Sequence, residues 1–205
     1  MPGTFIAFEG GEGAGKSSRC RALARRLRAT GHEVILTHEP GDTAVGRRIR
    51  AMLLDAGAAE PSARGEALLY AADRAEHVAA VVRPALDRGA VVVTDRYVDS
   101  SIAYQGVGRG LGAEAVAELS RFATGGLLPD LTVVLDVPPG VGRGRLTGPA
   151  DRLEAEPAEF HARVRQAFLD QAARAPDRYV VVDATLPIEH VDAAIIDAVK
   201  ELGLS

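Results

Sequence analysis

Short apolar runs alternate with longer stretches of mixed polarity along this chain. Five of the runs are rich in β-branched residues and predict strands. They are Thr4–Glu9, Glu33–Thr37, Ala90–Thr94, Leu131–Val137 and Tyr179–Asp183. Most are apolar on both faces, which predicts an internal parallel sheet covered by helices on both sides.

Six further stretches carry apolar residues at helical spacing. They are Lys16–Ala29, Thr43–Leu54, Ser62–Arg83, Ala113–Thr124, Pro157–Arg174 and Ile188–Leu202. Pro84 is expected to end or kink the third helix. The alternation predicts an α/β fold, a three-layer sandwich with a five-stranded parallel sheet, and 205 residues suit a single domain spanning 1–205.

One segment, at about 140–155, follows neither pattern. It mixes glycine, proline and the arginines Arg143, Arg145 and Arg152. Such a composition predicts a short mobile lid within the domain and not a linker between two domains.

A glycine-rich motif, Gly10-x-x-x-x-Gly15-Lys16-Ser17, lies between the first strand and the first helix. In that context backbone N–H groups can converge on phosphate oxygens, a lysine can reach the β and γ phosphates, and a serine can bind Mg²⁺. The predicted phosphate-binding residues are Gly10, Gly11, Glu12, Gly13, Ala14, Gly15, Lys16, Ser17 and Ser18. The loop alone does not distinguish kinases from GTPases, transport ATPases or synthetases.

Asp95 and Arg96 follow the third strand, at the edge of the sheet where open α/β sheets bind ligands. Asp95, together with Ser17, is a candidate for holding Mg²⁺. Arg96 offers a planar guanidinium suited to a phosphoryl group between donor and acceptor. The alternative is a structural ion pair or a strand-end cap.

Bulk composition narrows the function classes. The net charge of −4 argues against a general nucleic-acid or anionic-membrane binder. The single cysteine, Cys20, cannot form an internal disulfide, and the N-terminal residues do not have the pattern of a signal peptide, so a cytoplasmic location is expected. No apolar run is long enough to span a membrane.

Four further segments, with the loop, resemble the thymidylate kinase family along nearly the whole chain. They are HEPGDT at 38–43, LLYAADRAEH at 68–77, DRYVDSSIAYQGVGRGL at 95–111 and PDLTVVLDVPPGVGRGR at 129–145. The resemblance implies transfer of the γ-phosphoryl group of Mg·ATP to dTMP, giving dTDP, with ATP and dTMP as small-molecule partners. It also implies a homodimer packed through long helices such as Ser62–Arg83.

The same resemblance assigns roles to residues around the acceptor. Arg50 would contact the dTMP phosphate, Arg96 would serve that phosphate and catalysis, and Glu12 would accept a hydrogen bond from the 3′-hydroxyl. Glu39, beside Pro40, is a weaker candidate for organising water and Mg²⁺. The chain departs from the family pattern at His38 and Asp42, which could alter the geometry of this loop.

For the base, the resemblance implies that Tyr70 stacks on thymine and that Arg74 bonds to a base carbonyl. Ser101 and Gln105 would line the thymine site, and Tyr104 would crowd a ribose 2′-hydroxyl. On spacing alone, Tyr70 and Tyr104 could instead be core, Ser101 part of a helix start and Arg74 surface, with Asp73 and Glu76 on a solvated face.

Phosphoryl transfer needs positive charge, and one arginine can contribute about 10³ to 10⁵ in rate. The variable positions of the glycine-rich loop hold no arginine, so the lid is the expected source. Arg145 and Arg152 match the family pattern best as catalytic residues, and Arg143 and Arg145 are candidates for contacting ATP. The alternative is a loop of solvated arginines.

Two other functions are compatible with a phosphate-binding loop. One is another P-loop kinase, acting on a different nucleoside monophosphate or small molecule. The second is a nucleotide-dependent switch, for which the sequence offers no Asn-Lys-x-Asp guanine signature.

Overall fold

The computed structural model describes residues 3–54, 60–147 and 151–204. Five parallel strands form one sheet in the order β2-β3-β1-β4-β5. The strands are β1 (Thr4–Glu9), β2 (Val34–His38), β3 (Val91–Asp95), β4 (Leu131–Asp136) and β5 (Tyr179–Asp183). The predicted fold class is confirmed, and each strand begins and ends within one residue of its predicted limits.

Nine α-helices lie within the described residues. They are α1 (Lys16–Ala29), α2 (Ala44–Leu54), α3 (Ala63–His77), α4 (Arg83–Asp87), α5 (Val98–Ser101), α6 (Ala113–Thr124), α7 (Pro139–Arg143), α8 (Ala158–Arg174) and α9 (Ile188–Glu201). Two π-helical segments, Val78–Val82 and Ile102–Gly108, continue α3 and α5, and a 3₁₀ turn covers Pro176–Arg178.

The sheet separates two apolar layers because alternate side chains of a strand point to opposite faces. On one face, Ile6 and Phe8 pack in a cluster with apolar residues of α1 and α9. On the other, Phe5 and Ala7 pack against the segment Val78–Val82 and α4. α8 covers the same sheet near β4 and β5. The result is the predicted three-layer sandwich.

Pro84 was predicted to end or kink the third helix, and the helix does not end there. The helical path continues to Asp87, because a π-helical turn precedes the proline and the N–H of Arg83 bonds to Val78 O. Pro84 then occupies the first turn of α4, where a missing N–H costs little.

Helix α5 and its π-helical continuation were considered only in the alternative that Ser101 is part of a helix start, and the helix begins earlier, at Val98. Their sequence, VDSSIAYQGVG, holds β-branched residues and glycines that disfavour helices, so tertiary contacts with α6 and α8 must offset the local preference. Likewise, the predicted lid begins as a short helix, α7. Residues 148–150 of that segment lie outside the described residues.

Candidate active site

The glycine-rich loop joins β1 to α1 and leads directly into the first turn of that helix. Gly10, Gly13 and Gly15 have φ values of 132°, 69° and 89°, which other residues rarely adopt. A Cβ atom on Gly13 would lie 2.0 Å from the carbonyl oxygen of Gly142 in α7, so close packing also requires glycine. Backbone N–H groups at the start of a helix, together with the helix dipole, can bind an anion.

Lys16, at the first position of α1, folds back over the loop. Its Nζ donates to Gly10 O at 3.1 Å and Gly11 O at 2.8 Å. Burial and the nearby charge of Arg96 lower the pKa of Lys16. The loop therefore holds one cation close to the backbone groups that would face phosphates.

Ser17 and Asp95 meet beside the loop. Asp95 ends β3, the neighbour of β1 in the sheet, and the Ser17 hydroxyl donates to Asp95 Oδ2. Hydroxyl and carboxylate oxygens are the ligands that Mg²⁺ prefers, and Mg²⁺ usually takes only one or two from a protein. Both residues thus suit the role predicted for them.

Arg96 links the glycine-rich loop to the residues that follow β3. It has a left-handed φ of 72°, and its guanidinium contacts Glu12, Ser100 Oγ at 2.9 Å and Gly10 O at 3.2 Å. Burial alone would lower the pKa of Arg96, but the charge of Glu12 raises it well above its ordinary value. The Arg96 guanidinium also lies 5.1 Å from the centre of the Tyr104 ring.

Glu12 receives two donors at this position. Arg96 and the Tyr104 hydroxyl, at 2.8 Å, both bond to its Oε1. Burial would raise the pKa of Glu12, but the charges of Arg96 and Lys16 outweigh it and lower the pKa to about 2. An ionised carboxylate therefore lies beside the phosphate loop and can accept a hydrogen bond from a ligand.

Arg74 lies in a buried polar network. It donates to Glu39 Oε2 at 2.7 Å, Ser101 Oγ at 3.1 Å and Tyr97 O at 3.0 Å. Glu39 also contacts His77 Nδ1 at 2.8 Å. The alternative that Arg74 is a surface residue is therefore wrong, and Glu39 is engaged with two side chains of α3.

Asp73 contradicts the expectation of a solvated face. It is buried, and its Oδ1 accepts from Gly41 N at 3.0 Å. Burial and the charge of Glu39 raise the pKa of Asp73 to about 6. Pro40 follows a cis peptide bond, and its carbonyl accepts from Arg50 at 2.7 Å.

Gln105 and Tyr70 also line the cleft. Both are buried, and Gln105 Nε2 donates to Glu66 Oε1 at 2.8 Å. The Tyr104 ring packs near Phe160 and Phe168. Tyr70, Tyr104 and Gln105 line one cleft of about 840 Å³ together with residues of the glycine-rich loop.

The three lid arginines do not converge on the loop. Arg145 lines the cleft and donates to Ala184 O at 3.0 Å. Arg143 is exposed and donates to Glu154 O at 3.2 Å. Arg152 bonds to Leu53 O at 2.9 Å and at 2.7 Å to Glu66, which in turn accepts from Gln105.

Glu9 was not predicted as a site residue. Its carboxylate accepts from the backbone N–H groups of Tyr97 and Ser100 at 2.8 and 3.1 Å, and from Ser100 Oγ at 2.6 Å. Burial and the charge of Asp99 raise the pKa of Glu9 to about 8. An acid ending an otherwise apolar strand is the sequence signal that could have identified it.

Across the described ranges, no group of three or more His, Cys, Asp or Glu side chains is arranged to bind a metal by itself. Over the same ranges, no helix has the length and apolarity needed to cross a bilayer.

The parallel sheet, the loop at the start of α1 and the charged cleft at the carboxyl edge of the strands define a P-loop nucleotide-binding protein. Comparisons with known proteins give the family. The thymidylate kinase family model matches residues 8–195. The chain belongs to the thymidylate kinase family.

Individual relatives agree. The thymidylate kinase of Clavibacter michiganensis subsp. michiganensis is 55% identical over 199 residues, covering 95% of this chain and 93% of that protein. The thymidylate kinase of Bifidobacterium longum strain DJO10A is 51% identical over 206 residues, covering 99% and 100%. The crystal structure of thymidylate kinase from Ehrlichia chaffeensis has a TM-score of 0.80 at 30% identity, covering 97% of this chain and 99% of that one.

Proposed function

We propose that this protein transfers the γ-phosphoryl group of Mg·ATP to dTMP, giving ADP and dTDP. Family membership supports the reaction. The observation that carries it is one cleft of about 840 Å³ that joins the phosphate loop to a buried wall holding Tyr70, Arg74 and Gln105. That volume is in the range of small-molecule sites. The cleft is lined by residues proposed for both substrates.

ATP is proposed to bind with its phosphates in the loop, where Lys16 neutralises charge that develops on the transferred group. Ser17 and Asp95 would hold Mg²⁺, which supplies charge neutralisation on the β and γ phosphates when bound. Arg145 is the lid arginine best positioned for ATP, because it lines the cleft.

For the acceptor, Arg96 is proposed to hold the dTMP phosphate and orient it towards the γ-phosphate. Glu12 would accept from the 3′-hydroxyl, and its low pKa keeps it an acceptor. Arg50 would reach the same phosphate from α2. Tyr70, Arg74, Ser101 and Gln105 would bind the base, with Tyr104 against the sugar.

Release of ADP with each of dTMP, dUMP, dCMP, dGMP, AMP and GMP tests the reaction. We expect dTMP to be the preferred acceptor. A clear preference for dCMP, GMP or AMP would instead support another nucleoside-monophosphate kinase, and tight dTMP binding without turnover would support a binding protein.

We further propose a cytoplasmic homodimer. Helices α2, α3 and α6 pack side by side, and each leaves large apolar side chains exposed: Val45, Met52, Leu68 and Phe122. Exposed apolar side chains on adjacent helices favour an interface. Light scattering after size exclusion should give twice the mass of the 21.5 kDa chain, and Leu68→Glu should reduce it.

A further inference from the structure

Glu66 is a buried carboxylate to which neither the sequence motifs nor the proposed mechanism gives a role. It lies in the first turn of α3, and its side chain is 1% exposed. Three side chains donate to it: Gln105, Arg152 and Arg109. A buried carboxylate with two guanidinium partners satisfies the usual requirement for burying a charge.

The contact between Glu66 and Gln105 fixes the orientation of the side-chain amide of Gln105. An ionised carboxylate only accepts hydrogen bonds, so Gln105 must turn its Nε2 donor towards Glu66, at 2.8 Å. The other polar atom of this amide, the Gln105 Oε1, then faces away from Glu66. Because Gln105 lines the cleft, its oxygen is the amide atom left for a ligand.

We propose that Glu66 is a positioning residue that sets base specificity by holding Gln105 with its acceptor available to the base. This inference rests on the proposed dTMP site. Thymine carries a donor at N3, which an amide oxygen can accept. Cytosine carries an acceptor at N3, which would meet that oxygen without a hydrogen bond, and an unmatched buried polar group is costly.

Arg109 and Arg152 hold the Glu66 carboxylate in this orientation. Arg152 approaches Glu66 Oε2 at 2.7 Å, and Arg109 approaches both carboxylate oxygens at 3.3 and 3.4 Å. Arg109 also pairs with Glu156. Since guanidinium groups only donate, they require acceptor atoms from residue 66, whatever its side chain.

Glu66→Gln therefore makes a directed test. The new amide would turn its oxygen to the arginines and its NH₂ group to Gln105, which would then present its own NH₂ group to the base. We expect the ratio of kcat/KM for dTMP to that for dCMP to fall by at least about tenfold. KM for ATP should change little, because no ATP contact is removed.

Two variants serve as controls. Glu66→Asp keeps an acceptor-only carboxylate and should retain most of the selectivity. Glu76→Gln makes the same chemical change on the same helix, at a residue outside the cleft lining, and should behave as the wild type. Thermal unfolding of each variant with and without dTMP identifies any loss of fold.

Selectivity that is unchanged in a folded Glu66→Gln variant would overturn the inference while leaving the proposed reaction intact. Equal selectivity losses in Glu66→Gln and Glu66→Asp would assign Glu66 a general packing role and also overturn it. A wild-type protein that does not phosphorylate dTMP would instead reject the proposed function. If Glu66→Gln does not fold, loss of selectivity in Glu66→Asp would decide against the inference.

Discussion

The two ends of the cleft are built in different ways: one is the glycine-rich loop, called here the phosphate end, and the other is the wall proposed to bind the base, called here the base end. At the phosphate end, Lys16 contacts Gly10 and Gly11, six and five residues away in sequence. At the base end, Arg74 reaches Glu39, Tyr97 and Ser101, between 23 and 35 residues away. The contacts of Lys16 are therefore local in sequence, whereas those of Arg74 depend on the tertiary fold.

This contrast predicts that base-end substitutions change stability as well as binding. Arg74→Ala would leave the buried Glu39 carboxylate without its guanidinium partner. We therefore expect the free energy of unfolding to fall by about 3–5 kcal/mol. Affinity for dTMP should fall far more than affinity for ATP. Chemical denaturation and separate titrations with the two ligands measure these changes.

An exposed pair on another helix provides the control. Arg121 and Glu118 pair at 2.8 Å on the surface of α6, so Arg121→Ala should leave stability nearly unchanged. Equal losses of affinity for dTMP and ATP in Arg74→Ala would argue against a base contact.

At the phosphate end, the expected effect is on rate. Lys16→Ala should lower turnover by at least about a hundredfold, because the lysine opposes charge that develops during transfer. The fold should be retained. Lys200, the other lysine of the chain, is exposed and pairs with Asp197, so Lys200→Ala is a matched control. Steady-state kinetics and thermal unfolding would show the difference, and near-normal turnover in Lys16→Ala would contradict this role.

The same contrast explains which features of the site could be predicted from the sequence and which could not. The loop was predicted residue by residue because glycine positions, one lysine and one helix start determine its geometry. The strands were also predicted, since apolar runs reflect burial directly. Glu66, Glu9 and the buried state of Arg74 were not, because they depend on which helices pack together.

The lid shows the same limit. Nothing in the spacing of Arg143, Arg145 and Arg152 shows which of these side chains reaches the cleft. In the structure Arg145 lines the cleft, whereas Arg152 is directed to Glu66. The partners of a flexible, charged side chain are set by distant residues, and a single sequence does not reveal them.

Arg96 connects the two ends, and its backbone and side chain can be tested separately. Both Arg96→Ala and Arg96→Gly remove the guanidinium, so both should lose activity with dTMP to a similar degree. Only glycine relieves the left-handed conformation at φ 72°. We expect Arg96→Gly to be more stable than Arg96→Ala by about 1 kcal/mol. Equal stabilities in denaturant titrations would indicate that the local backbone relaxes in the alanine variant.

The smallest expected effect concerns acid stability. The pKa of Glu12 is lowered from 4.5 to about 2, so its ionised form is favoured in the folded protein. Glu12 therefore contributes stability that is fully present above about pH 4.5 and is lost as the pH falls towards 2. Glu12→Gln removes the titrating group, so the decline in stability over this window should become shallower. Thermal unfolding of both proteins across the window measures it, with Glu114→Gln, at an exposed acid of α6, as the control. Parallel curves for Glu12→Gln and the wild type would mean that Arg96 and Lys16 do not stabilise the Glu12 carboxylate in the folded state.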